Sequence, residues 1–138
     1  MHVRLSIGIA VLGLLMAAAP APAHHAFAAE FNADKPIALR GVVTVMEWVN
    51  PHSWIHVDVK GEDGTVVNWM IEGGSPNALL RLGFTKNALV PGMEIVIDGY
   101  QAKDGANRGV GRFLTFADGR KLFLSESQTD GRGESPKR

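Results

Sequence analysis

The chain has 138 residues, no cysteine, and 14 basic against 14 acidic side chains, giving a formal net charge of zero. That balance argues against nucleic acid, whose binding depends on a strong positive field. The lack of cysteine excludes a disulfide framework and a lipid-anchoring thiol.

The first 23 residues read as an export address. Arg4 carries a positive charge, Leu5 to Ala19 is apolar or small, and Ala21-Pro22-Ala23 has the small-x-small form that signal peptidase accepts. Cleavage there leaves 24–138, about one domain's worth of chain, opening with His24-His25. No other apolar stretch approaches the ~20 residues of a membrane span, so after cleavage the chain is expected in the periplasm without membrane insertion. Residues 24–124 are expected to form a single β-barrel domain, and 125–138 a disordered polar tail.

Residues 24–36 form a lead-in of mixed character with Phe27 and Phe31 as anchors. Ile37 to Val49 reads as a Val-rich strand, with Gly41 marking a bulge or sharp bend. In Trp54 to Lys60, Ile55, Val57 and Val59 alternate with Trp54, His56, Asp58 and Lys60. Asp63-Gly64 marks a hairpin loop, and Val66 to Glu72 alternates again, with Val67, Trp69 and Ile71 on the inward side. Ser75-Pro76 starts a helix, since serine caps well and proline suits the first helical position. Leu79, Leu80 and Leu82 give it a sticky face, and Gly83 stops it. Pro91-Gly92 is a turn before a strand over Met93 to Ala102. Asp104 to Gly111 reads as a loop, and Asp118-Gly119 joins strands at Arg112–Phe116 and Lys121–Leu124.

Three strands, a helix and two or three more strands match the order of a small five- to six-stranded antiparallel barrel of the oligonucleotide/oligosaccharide-binding type. A plain antiparallel sandwich is the rival architecture.

Setting Lys60 opposite Val66 in the hairpin places His56 opposite Met70, Trp54 opposite Glu72 and Asp58 opposite Asn68. The apolar set fixes this parity, because a one-residue slip exchanges the two faces. With the loop Asn50-Pro51-His52-Ser53, the outward face becomes one candidate ligand patch of His52, Trp54, His56, Met70 and Glu72.

The histidines also suggest a metal. On a strand, His52 and His56 lie about 13 Å apart, too far to share one ion. A terminal His24 differs, because its amine and its ring can chelate together. With His25, His52 or His56 nearby, such a nitrogen-rich set suits copper(II), and Met70 offers a thioether for copper(I). Enzyme signals are poorer. Gly73-Gly74-Ser75-Pro76 is better explained as a helix start than as a nucleophile elbow.

His24-His25-Ala26-Phe27, Val49-Asn50-Pro51-His52-Ser53-Trp54 and Gly74-Ser75-Pro76-Asn77-Ala78-Leu79-Leu80 with Gly83 occur in that order. Together they resemble a family of small exported proteins of Gram-negative bacteria known only as a domain of unknown function. The resemblance runs from about His24 to Leu124. It implies export and one small β-rich domain, and it supplies no catalytic residues. The functional expectation is a periplasmic, non-enzymatic module that binds a small ligand or copper. The alternative is a structural or interaction module in which Trp54 docks onto a periplasmic protein partner.

Overall fold

The computed structural model describes residues 24–125, with side chains from Phe27 onward. The expected signal segment, the side chains of His24 and His25, and residues 126–138 lie outside the described residues. The described chain is mainly β. Its elements are α1 (His24–Glu30), β1 (Phe31–Glu47), β2 (Trp54–Lys60), β3 (Val66–Glu72), α2 (Pro76–Arg81), β4 (Glu94–Ala102), β5 (Arg108–Phe116) and β6 (Lys121–Phe123).

All six strands belong to one sheet of order β3-β2-β1-β4-β5-β6, and β3 pairs with β5 as well. The neighbours in that order are antiparallel; the β3–β5 pairing, Met70 with Arg108 to Glu72 with Val110, is parallel. Among the described residues no helix is long and apolar enough to cross a membrane.

β1 is longer than the sequence suggested because it serves two neighbours. Its N-terminal part pairs with β4 and its C-terminal part with β2, and Val42 faces both Asp58 and Glu94. Phe31 begins it, 4% exposed and opposite Ala102. The polar stretch that hid this beginning falls at a register irregularity between Phe31 and Pro36. The lead-in before it is helical. Gly41 is not the bulge; the register shift against β2 lies between Val43 and Val45. Gly41 instead permits close packing, since a Cβ there would sit 2.5 Å from Asp58 O and 2.6 Å from Val57 Cγ1.

β5 starts at Arg108 rather than Arg112. Its glycines are points of close approach rather than loop residues: a Cβ on Gly109 would lie 2.8 Å from Tyr100 O. Across from them a Cβ on Gly99 would overlap the Val110 carbonyl.

Ile55, Val57, Ile71, Ile95, Ile97 and Leu114 are buried together in the main core. Burial of such side chains contributes roughly 1.5–3 kcal/mol each. The inward parity of β2 holds at Ile55 and Val57. In β3 it weakens towards the hairpin tip, where Val67 is 37% exposed and Trp69 only partly buried. The reason is coverage: β5 reaches only Met70 to Glu72, leaving the first part of β3 without a second neighbour.

Ser75 caps α2, its Oγ accepting from Ala78 N–H at 3.3 Å. Only Leu79 of the expected leucine face is buried; Leu80 and Leu82 are exposed. One turn of chain then brings Phe84 inward, where Trp48 stacks on it at 6.2 Å.

A smaller cluster lies apart from the main core. Phe31, Ala102 and Val110 are buried in it, and Phe27 of α1 packs on it with Tyr100. Lys103 N–H also donates to Glu30 O at 2.9 Å. These contacts hold α1 against the sheet.

Candidate functional site

The β2–β3 register is the expected one, with Lys60 opposite Val66, His56 opposite Met70 and Trp54 opposite Glu72. Beyond Trp54, Ser53 extends the ladder. Gly73 N–H donates to Ser53 O at 2.9 Å, and Ser53 N–H donates to Gly74 O at 3.1 Å. The buried Ser53 hydroxyl donates to the same Gly74 carbonyl at 2.8 Å. The loop from Asn50 is thereby clamped beside the end of β3. His52 then meets Glu72, with Nδ1 2.6 Å from Oε1.

This pair lines a cleft of about 410 Å3. Phe27 and Phe31 contribute aromatic surface from α1 and the start of β1, and Trp54 from the start of β2. Glu30 and Arg108 form an ion pair in it, at 3.5 Å, and the guanidinium lies over the Phe31 ring at 5.8 Å. Arg108 reaches the cleft because the parallel pairing sets it beside Met70, two residues from Glu72.

Glu72 is the most enclosed of these charged groups, its side chain 12% exposed against 48% for His52. Burial pushes its carboxyl above the ordinary range, and the Glu30 carboxylate adds to that; His52 and Arg108 pull the other way. The cleft thus pairs aromatic surface with the Glu30–Arg108 ion pair and the His52–Glu72 contact.

Of the five residues expected in one patch, His52, Trp54 and Glu72 line the cleft, whereas His56 and Met70 do not. His56 Nε2 lies 2.6 Å from Glu47 Oε1 on β1. Met70 lies where β3 is flanked by both β2 and β5, and is partly buried. The outward face of the hairpin is divided because neighbouring strands supply different partners to its two ends.

The expected patch did not include Glu30 and Arg108, nor Phe27 and Phe31, which the sequence offered only as anchors of the lead-in. Phe27 lies in α1 and Phe31 opens β1, so no single periodicity links the two. Arg108 was hidden by the glycines around it. Among the described residues, no group of three or more His, Cys, Asp or Glu is arranged to hold a metal ion. His52 and His56 answer to separate carboxylates, and the His24 and His25 side chains lie outside the described residues.

Residues 11–112 match the family of unknown function DUF6152. The chain belongs to this family. No curated protein and no solved structure matches it. The DUF6152 match begins earlier than the resemblance over 24–124 and stops within β5. It includes every residue lining the cleft except Ser125, and it leaves out β6.

Proposed function

We propose that this DUF6152 protein is an exported, non-enzymatic module that binds a small organic ligand in the cleft between α1 and the β2–β3 hairpin. The observation that carries the reading is the cleft itself, which Phe27, Phe31 and Trp54 line together with the Glu30–Arg108 ion pair and the His52–Glu72 contact. Small-ligand sites combine apolar walls with a few placed polar groups, and typically occupy about 300–1,000 Å3.

The non-enzymatic part is supported by the hydroxyls. Ser53 Oγ and Ser125 Oγ donate to the Gly74 and Gly111 carbonyls, and Ser75 Oγ caps α2. Each is committed to the backbone, so none is poised as a nucleophile beside His52. Export to the periplasm is supported by Arg4, the apolar run and Ala21-Pro22-Ala23. A barrel of the oligonucleotide/oligosaccharide-binding type is supported by the β3–β5 pairing, which joins two strands separated in the sheet order, and by α2 standing between β3 and β4. In such barrels the loop before strand two and the face of strands two and three take the ligand.

The test is a titration of the exported form with aromatic and sugar probes, followed by tryptophan emission. A saturable change that Trp54→Phe removes supports the reading. Emission unmoved by every probe, with a copurifying protein lost in Trp54→Ala, favours the interaction module instead.

One observation favours copper as a second reading. His52 engages Glu72 through Nδ1, which leaves Nε2 as the nitrogen for a metal, in the manner of a carboxylate–histidine–metal triad. Helix α1, which starts at His24, supplies Phe27 and Glu30 to the same cleft. Copper affinity should then fall sharply when one extra residue precedes His24. Unchanged affinity overturns the amine-chelate arrangement.

A further inference from the structure

We propose that the cleft selects small molecules carrying a single organic ammonium group on an apolar or aromatic body, an inference that rests on the cleft being a ligand site. The argument begins with Glu72. Its carboxylate is the most enclosed charge in the cleft, and Oε1 meets the ring of His52. A carboxylate this enclosed is costly to desolvate, and an N–H from a ligand offsets that cost.

The charges around it point the same way. The acidic and basic side chains of the cleft, Glu30, Glu72 and Arg108, carry formal charges that sum to one negative charge. The positive charge of Arg108 is already engaged by Glu30 and lies over Phe31. One added cation balances the set, with an N–H directed to Glu72. The aromatic walls act in the same sense, since the faces of Phe and Trp rings attract cations. A carboxylate ligand, in contrast, must draw Arg108 away from Glu30 and then sit beside Glu72. A neutral ligand supplies hydrogen bonds but leaves the charge unbalanced.

The volume limits the body of the ligand. About 410 Å3 lies near the lower end of small-ligand sites, enough for a single ring with its substituent.

Three probes of nearly one shape separate the possibilities: benzylammonium, benzyl alcohol and benzoate. Each is titrated into the full exported protein by calorimetry, with tryptophan emission in parallel. Benzylammonium is expected to bind about tenfold or more tightly than either of the others. Glu72→Gln should bring benzylammonium and benzyl alcohol to within about twofold of each other, with the fold checked by circular dichroism. Should Glu72→Gln fail to fold, Glu30→Gln serves; it frees Arg108 to repel the cation and should also reduce the preference severalfold.

Benzyl alcohol or benzoate binding as well as benzylammonium overturns the cation selectivity and leaves the small-ligand reading standing. If no probe binds, the ammonium proposal and the small-ligand reading fall together. A benzylammonium preference that survives both substitutions overturns the assignment to these carboxylates.

Discussion

Ser53 holds Gly74 twice: its backbone N–H and its side-chain hydroxyl both donate to the one Gly74 carbonyl, at 3.1 and 2.8 Å. This double hold ties the loop carrying His52 to the end of β3 carrying Glu72. Ser53→Ala keeps the backbone bond and loses the other. Stability should fall by about 1 kcal/mol in urea denaturation, the usual net worth of such a bond. Affinity for a cleft ligand should fall with it, because His52 is less firmly placed. A variant with native stability and native affinity would show that the backbone bond suffices.

Glu72 gives a pH dependence of definite sign. Burial raises its carboxyl above the ordinary value of 4.5, so the folded chain holds this proton more tightly than the unfolded chain does. Its contribution to stability is therefore fully present below that value and is lost as pH rises through the raised one. Relative to Glu72→Gln, the wild type should lose melting temperature as pH rises above the ordinary value of 4.5. If the wild type instead gains on the variant over that range, attraction to His52 outweighs burial.

Gly99 should tolerate no side chain. A Cβ there overlaps the Val110 carbonyl, which belongs to the adjoining strand and cannot swing aside like a flexible side chain. Gly99→Ala should cost about 2 kcal/mol or more, or abolish folding, as read by thermal melting. A melting temperature within a degree or so of wild type would mean that β4 and β5 can separate locally at little cost.

The two central leucines of α2 should behave very differently despite their adjacency. Leu79 is fully buried and Leu80 is 50% exposed. Leu79→Ala should cost about 2–5 kcal/mol, and Leu80→Ala no more than about 0.5 kcal/mol. Equal effects in denaturant titrations would contradict the orientation of the helix.

Where local pattern and tertiary packing agree, the sequence was legible. Alternation delimits Trp54–Lys60 and Val66–Glu72 and fixes their parity, and the Asp63-Gly64 turn with Lys60 opposite Val66 sets the register. The Ser75 cap and the Asp118-Gly119 turn, where Asp118 Oδ1 accepts from Arg120 N–H at 2.9 Å, are equally local. Illegibility begins where a residue serves a distant neighbour. Gly109 looks like loop because glycine usually does, yet here it admits the Tyr100 carbonyl. His56 has the right parity for the expected patch, but parity does not say which strand lies alongside, and Glu47 on β1 takes it. The cleft draws Glu30 and Arg108 from places 78 residues apart, and no periodicity links them.

The three parallel rungs between β3 and β5 have a dynamic corollary. Glu72 and Arg108 stand at opposite ends of this short seam, so whatever spans them acts as a staple across it. Occupancy of the cleft should therefore slow deuterium uptake at the Met70 amide, which donates to Asn107 O at 3.1 Å, while the amides of the Gly61–Thr65 turn at the far end of the hairpin keep their unliganded rates.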